Sequence, residues 1–304
     1  MTLTELRYLV ALDKARHFAR AADLCHVTQP TLSVALRKLE EQLGVTLFER
    51  IRGEARPTTV GERVIEQARL VLEGAQRIEA IAKAGVDPLQ GPLRVGAIYT
   101  IGPYLMPHLV PLLRSRAARM PMVIEENFTA VLSRQLRDNE LDAIIVAEPF
   151  SLPGVDTLPL YEENFVVVMP RDHPWESRKA IDAEELAQQN LLLLGPGHCF
   201  RDQVIAACPD CEEREDQRPI AGTSLETIRH MVSSGLGITV LPRSSVENRP
   251  QEDSLLVVRP FARNAPTRRV LLVWRRSFTR PEAIRELAAA VRDCGLQGVS
   301  VLPH

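Results

Sequence analysis

The order of apolar and polar residues divides the chain into two differently patterned stretches. Over the first 56 residues the apolar positions recur at helical spacing. Leu6, Leu9 and Val10 follow Thr2-Leu-Thr-Glu5, where a threonine and a glutamate three residues on make a capping box. Phe18-Ala-Arg-Ala-Ala-Asp-Leu24 predicts a second helix of about two turns. Thr28 is placed to cap a third, with Pro30 in its first turn, where a missing N–H costs nothing. That helix runs through Leu32, Leu36, Leu39 and Leu43 to Gly44, a C-cap. Leu47-Phe-Glu-Arg50, Arg52, Gly53 and Arg56-Pro57 then predict a short basic hairpin. A long helix follows, opened by a capping box over Thr59-Val-Gly-Glu62. Along it Val64, Ala68, Val71, Ala75, Ile78 and Ala82 recur at spacings of four and three, the seam of a short coiled coil with a partner copy.

Gly85-Val-Asp-Pro88-Leu-Gln-Gly91-Pro92 ends the long helix, so boundaries are expected at 1–58, 59–90 and 91–304. Beyond residue 92 the pattern changes to short apolar runs with helical stretches between most of them. The runs are Leu93–Ile98, Met122–Phe128, Leu141–Val146, Phe165–Met169, Leu191–Leu194, Ile238–Leu241 and Val270–Trp274. Buried parallel strands with crossover helices are expected, an α/β domain. The chain order suggests two lobes, one of about 91–163 and 269–304, the other of about 164–268.

Composition removes whole classes. The 304 residues are 45% hydrophobic and 25% charged, which excludes disordered and collagen-like chains. No run approaches the roughly 18 apolar residues of a membrane helix, and the start shows no basic stretch followed by an apolar core, so a soluble cytoplasmic protein is expected. The formal net charge is −2. Residues 1–90 carry 13 basic and 12 acidic side chains and the remainder 24 and 27. Binding to DNA would therefore depend on local placement of arginines and on dimerisation, not on bulk charge.

The three N-terminal helices read as a helix-turn-helix whose recognition helix starts at Gln29; a bare three-helix bundle is the plain alternative. Gln29, Pro30, Thr31, Ser33, Val34 and Arg37 fall early on that helix, where side chains reach base edges and phosphates in a major groove. Arg50, Arg52 and Arg56 on the hairpin suit backbone phosphates.

The run from Ala19 to Glu41, Ala-Arg-Ala-Ala-Asp-Leu-Cys-His-Val-Thr-Gln-Pro-Thr-Leu-Ser-Val-Ala-Leu-Arg-Lys-Leu-Glu-Glu, continues through Leu43-Gly44 to Leu47-Phe-Glu-Arg50. It resembles the DNA-binding domain of LysR-type transcriptional regulators. Gly235-Leu-Gly-Ile-Thr-Val-Leu-Pro242 resembles the effector-domain signature of that family. The resemblance implies a winged helix-turn-helix, a linker helix, and a two-lobed α/β effector domain like periplasmic binding proteins. It also implies a homotetramer on double-stranded promoter DNA working with RNA polymerase, with no cofactor and no enzymatic role.

Five cysteines stand at 25, 199, 208, 211 and 294, too few and too uneven for a disulfide framework. Gly197-His-Cys-Phe-Arg-Asp202, then Cys208, then Thr223-Ser-Leu-Glu-Thr-Ile-Arg-His-Met231 resembles the OxyR subfamily, the hydrogen-peroxide sensors. That resemblance implies Cys199 as the peroxide-reacting thiol and Cys208 as its disulfide partner, controlling antioxidant genes. It places Thr100, Thr129, His198, Arg201 and Asp202 around the peroxide. The residues point the same way on their own. Cys199 follows the turn Gly195-Pro-Gly197 at the start of a helical stretch, with His198 and Arg201 beside it, a setting that favours the thiolate peroxide requires.

If 199–208 were one helix, nine residues would separate the two Cα atoms by about 13 Å. A disulfide needs them within about 7 Å, so the bond requires this segment to unwind. Cys208-Pro-Asp-Cys211 adds a C-x-x-C, in which Cys211 can compete as resolving thiol, pair with Cys208 or join a metal site; without a second such pair it is a poor zinc motif, and no metal is expected. Two other classes remain at this stage: a regulator binding a small metabolite between its lobes, and a thiol peroxidase.

Overall fold

In the computed structural model the described residues are 1–51, 54–83, 87–208, 222–247 and 255–303, with side chains left aside at 50–51, 76–77 and 79–83. The chain divides into two compact units, Met1–Val86 and Asp87–His304. No helix among the described residues is long and apolar enough to cross a membrane.

The first unit opens with α1 (Leu3–Ala15), closed by the expected capping box. Thr2 Oγ1 accepts from the Glu5 amide at 3.2 Å, and the Thr2 amide donates to Glu5 Oε2 at 2.7 Å. Helix α2 spans Phe18–Leu24, and α3 spans Gln29–Leu43 from the Thr28 cap to Gly44, whose φ of +69° is in the left-handed region glycine tolerates. Leu6, Leu9, Leu12, Leu32, Leu36 and Leu39 meet in one core, so the 3.6-residue period translates directly into packing. Strands β1 (Phe48–Ile51) and β2 (Glu54–Pro57) form the antiparallel hairpin. The Glu40 carboxylate of α3 anchors it, accepting from the amides of Leu47 at 2.7 Å and Phe48 at 3.2 Å.

Helix α4 (Thr59–Lys83) departs from the sequence expectation at its start. The capping side chain is Thr58, not Thr59: Thr58 Oγ1 accepts from the Gly61 amide at 2.9 Å and donates to Thr46 O at 2.8 Å. Gly61 is where a side chain would not fit, because a Cβ there would stand 2.1 Å from the Leu47 carbonyl oxygen. The apolar seam also divides. Ala68 and Ile65 are buried in the unit's own core, while Val60, Val71 and Ile78 are exposed. Met1, Leu43, Val60, Val64, Ala68 and Val71 line an open groove of about 610 Å3 along this helix.

In the second unit the elements are β3 (Leu93–Ile98), α5 (Gly102–Arg116), β4 (Met122–Asn127), α6 (Thr129–Arg137), β5 (Ala143–Ala147) and β6 (Val155–Pro170). A 3-10 turn at Ala183–Gln188 precedes β7 (Leu191–Leu192), α7 (Cys199–Ala207), α8 (Leu225–Ser233), β8 (Ile238–Pro242) and α9 (Ser244–Glu247). The chain closes with β9 (Leu256–Pro260), β10 (Thr267–Arg275), α10 (Pro281–Asp293) and β11 (Val299–Val301). The strand order is β4-β3-β5-β10-β6-β8-β7, with β9 and β11 also on β6.

The sheet is mixed rather than parallel. Strand β3 runs parallel to β4 and β5, and β7 to β8, as crossover helices require. Strands β10 and β6 lie antiparallel to each other, β10 also to β5, and β6 also to β8. The 16-residue β6 is the reason. Its first half joins a core with Val95, Leu105, Ile144 and Leu272, and its second half, Phe165–Met169, joins another with Phe200, Ile228 and Leu241. One strand therefore belongs to both lobes. The sequence showed only its apolar second half, because the polar run Glu162-Glu-Asn164 interrupts the pattern.

Thr58→Ala is expected to destabilise the first unit by about 1 kcal/mol, the worth of an N-cap, whereas Thr59→Ala leaves it nearly unchanged. Urea unfolding followed by helical circular dichroism checks the pair; equal effects would return the cap to Thr59.

Candidate functional site

Three helices start at one small cavity. Thr100 lies just before α5, Phe128 and Thr129 at the start of α6, and His198 and Cys199 at the start of α7. None of these helices has a side-chain cap, so their first-turn amides add a positive field there. Thr100, Thr129, His198 and Cys199 line the cavity with Ile98, Tyr99, Asn127, Phe128 and Gly197. Its volume is about 10 Å3, on a scale where one bound water needs about 10–15 Å3. On that scale this cavity suits a very small molecule.

Gly197 takes φ +94°, and the Phe128 ring stands 3.4 Å from where a Cβ would be, so the turn feeding Cys199 requires glycine. The His198 ring sits 4.8 Å from Phe128 and 6.0 Å from Tyr99, with Tyr99 and Phe128 edge to face at 5.3 Å. Burial pushes the His198 imidazole below its ordinary value, and a hydrogen bond with the Thr223 backbone opposes this only in part. His198 is therefore a neutral, aromatic-packed wall beside Cys199.

Arg201 and Asp202 are not among the cavity's lining residues. The Arg201 guanidinium donates to Leu194 O at 2.7 Å, and Arg201 packs near Leu192, Phe200 and Val204; Asp202 is exposed. A cation the sequence reading did not single out does reach the site. Arg268 on β10 donates from Nη1 to Thr100 Oγ1 at 2.7 Å and from Nη2 to Thr100 O at 2.9 Å. Its Nε donates to Glu163 Oε1 of β6 at 2.7 Å. Glu163 Oε2 accepts from Ser244 Oγ at 2.5 Å and from the Ser244 amide at 3.3 Å. Both charged side chains are 0% exposed. The Arg268 guanidinium carbon also lies 5.3 Å from the Phe200 ring, next to Cys199. The available signal was a pair of arginines opening the apolar run Val270-Leu-Leu-Val-Trp274.

Cys199 is a free, half-buried thiol packed against the first core, and Cys208 is 2% exposed in the second. The helix between them is continuous through Ala207. Cys208 is disulfide-bonded, and with Cys199 free the bond is not between these two; Cys211 and the rest of 209–221 lie outside the described residues. Burial raises the Cys25 and Cys294 thiols above their ordinary value. Among the described residues no group of histidine, cysteine and carboxylate side chains is arranged to hold a metal.

On the first unit, Gln29, Pro30, Thr31, Val34 and Arg37 are exposed on α3 and Ser33 is half-buried. The Thr28 and Thr31 hydroxyls bond each other at 2.8 Å. Arg56 is exposed but pairs with Glu54, two residues earlier on the same strand, at 3.2 Å. Arg52 lies outside the described residues, as does the side chain of Arg50.

A two-lobed α/β domain following a helix-turn-helix unit defines a bacterial one-component regulator. Residues 3–62 match the bacterial regulatory helix-turn-helix proteins of the lysR family, and residues 87–294 match the LysR substrate binding domain. The DNA-binding transcriptional dual regulator OxyR of Escherichia coli is 38% identical over 292 residues, covering 96% of this chain and 95% of that protein. A probable hydrogen peroxide-inducible genes activator of Streptomyces viridosporus is 36% identical, covering 96% and 94%. A full-length cysteine-to-aspartate variant of Pseudomonas aeruginosa OxyR is 51% identical with a TM-score of 0.80, covering 100% of this chain and 99% of that one. A Corynebacterium glutamicum OxyR mutant with hydrogen peroxide bound is 32% identical with a TM-score of 0.65, covering 96% and 92%. The chain belongs to the LysR family of bacterial regulatory proteins and, within it, to the OxyR group.

Breaking the buried pair from one side leaves an uncompensated charge, so Arg268→Gln or Glu163→Gln is expected to cost about 3–5 kcal/mol. Replacing both with Arg268→Met and Glu163→Leu recovers most of it; urea midpoints of the three variants check this. For His198 the folded chain holds the imidazole neutral, so the unfolded chain takes up the proton first as pH falls through about 6.5. Stability therefore declines below that pH, and the decline from pH 7.5 to 5.5 should be smaller in His198→Asn, with His173, which shares the depression, present in both.

Proposed function

We propose that this chain is a hydrogen-peroxide-responsive DNA-binding regulator of transcription, with Cys199 as the sensing thiol. The observation that carries the reading is the cavity. It is of about the size of a very small molecule, Cys199, Thr100 and Thr129 line it together, and three helix N-termini surround it. The Cys199 thiolate attacks one peroxide oxygen, the O–O bond breaks, and the second oxygen leaves as hydroxide and is protonated to water. The sulfur becomes a sulfenic acid. Thr100 and Thr129 hold the peroxide, and the helix ends stabilise negative charge on the sulfur and on the leaving oxygen.

The sulfenic acid then condenses with the Cys208 thiol, forming the disulfide and releasing water. The condensation requires Cys208 as a free thiol, so the peroxide-responsive form is the reduced chain. Helix α7 must unwind, because its ends are fixed in different cores. The refolded domain alters promoter contacts in a homotetramer, a dimer of dimers, acting with RNA polymerase in the cytoplasm. Gln29, Pro30, Thr31, Ser33, Val34 and Arg37 face the major groove, and Arg50, Arg52 and Arg56 the phosphates. A helix-turn-helix unit serves regulation, not turnover, which favours a sensor over a peroxidase.

Protein reduced with dithiothreitol, desalted and exposed briefly to peroxide tests the chemistry by mass spectrometry of its thiols. Cys199→Ser is expected to abolish oxidation, and Cys208→Ser to accumulate sulfenic or overoxidised Cys199. Cys211→Ser, Cys25→Ser and Cys294→Ser still form the Cys199–Cys208 bond. A Cys199–Cys211 peptide dominating the digest would reassign the resolving thiol. Arg37→Ala should weaken DNA binding without slowing Cys199 oxidation; unchanged footprints at matched salt would remove α3 from the groove.

A further inference from the structure

The solvent-facing side of the cavity beside Cys199 is closed by aromatic rings. Among its lining residues Thr100 and His198 are buried, whereas Tyr99 and Phe128 are half-buried and Gly197 is exposed. Gly197 has no side chain, so closure on its side falls to Phe128, whose ring stands 3.4 Å from where a Gly197 Cβ would be. The Tyr99 ring meets Phe128 edge to face at 5.3 Å and 79°, and the His198 ring meets the same Phe128 at 4.8 Å and 63°. Such contacts attract beyond the area they bury, so the three rings hold one another in place. They come from separate segments: Tyr99 follows β3, Phe128 precedes α6 and His198 precedes α7. Rings that served only packing would belong to a core, yet neither Tyr99 nor Phe128 is part of the two cores of this domain. What they do instead is occupy the space around the sulfur.

We infer that Tyr99 and Phe128 form an aromatic wall that sets the upper size of the hydroperoxide reaching Cys199, admitting hydrogen peroxide and holding back alkyl hydroperoxides. The inference rests on the peroxide-sensing reading above and adds the residues that select its substrate class. Both kinds of oxidant offer a thiolate the same terminal oxygen. In each, the S–O bond forms as the O–O bond breaks, and the electron pair leaves on the other oxygen. That oxygen departs as hydroxide or as alkoxide, and is protonated by solvent to water or to an alcohol. The two differ in the substituent on the leaving oxygen, which has to be housed within the same walls at the moment of attack.

The full-length chain, reduced and desalted, is exposed to hydrogen peroxide or to tert-butyl hydroperoxide, and loss of the Cys199 thiol is timed by mass spectrometry. Each rate is divided by that of N-acetylcysteine with the same oxidant, which removes intrinsic reactivity. On this scale the parent should favour hydrogen peroxide by about tenfold or more, the discrimination a fitted pocket achieves against surplus carbon atoms. Phe128→Ala and Tyr99→Ala should each narrow the preference severalfold, whereas Tyr99→Phe, which removes only the hydroxyl, keeps it. Urea midpoints establish that the chains compared are folded, because an unfolded chain loses the preference trivially; Phe128→Val replaces Phe128→Ala if the latter does not fold. A parent without the preference, folded small-residue variants that retain it in full, or a Tyr99→Phe variant that loses it would each overturn the inference and leave peroxide sensing standing. A parent whose Cys199 does not react with hydrogen peroxide would overturn the sensing reading and this inference together.

Discussion

The effector domain depends on an ion pair that never meets water. Arg268 and Glu163 lie on the two strands that run side by side between the lobes, β10 and β6. Two charges in an apolar interior are tolerated only when their hydrogen-bonding capacity is met, because desolvation exceeds the attraction of an imperfect pair. Here the partners come from three directions: the Thr100 hydroxyl and carbonyl from the first lobe, the Ser244 amide and hydroxyl from the second, and the Phe200 ring beneath α7. The pair thus fixes where the wall of the small cavity stands relative to both lobes. It also occupies one acceptor site of the Thr100 hydroxyl, leaving that hydroxyl's own proton available elsewhere.

Around this fixed point helix α7, the segment proposed to carry the redox chemistry, spans a division. Helix α7 starts at the first core, with Cys199, and ends in the second, with Cys208. A bond between the two sulfurs cannot form by side-chain rotation, so it must come at the expense of the helix and of the packing of Phe200 and Val204. That is the physical content of a switch: a covalent change at one atom that is incompatible with the resting packing. The neutral state of His198 fits the same scheme. In the proposed peroxide reaction, negative charge developing at the cavity would be met by helix ends, with no nearby imidazolium to trap the thiolate in an ion pair.

The DNA-binding unit follows a different economy. Its net charge is close to zero, and part of the little positive charge it has is internally matched, as in Arg56 with Glu54. The electrostatic attraction of such a surface is modest, which in the proposed DNA complex leaves recognition to the few side chains that α3 presents at its start. The cap at Thr28 and the inward leucines fix the rotation of that helix, and that rotation decides which residues those are.

The sequence by itself determined the local helices of the first unit, since a 3.6-residue period and a capping threonine act within one turn. It also determined the family, through continuous motifs around Gln29, Cys199 and Gly235. The cap of α4 was off by one residue, because the choice between Thr58 and Thr59 is made by Leu47, whose carbonyl approaches Gly61 from outside the helix. The parallel sheet expected from alternating strands and helices became mixed, because the polar centre of β6 concealed one strand shared by two lobes. At the site, Thr100, Thr129, His198 and Cys199 line one cavity, while Arg201, which donates to Leu194 O, is not among its lining residues. The buried cation bonded to Thr100 is Arg268, some seventy residues further along the chain. Nothing local marks that arginine as buried, because the carboxylate, threonine and serine that satisfy it are brought together only when both lobes close on the crossing strands.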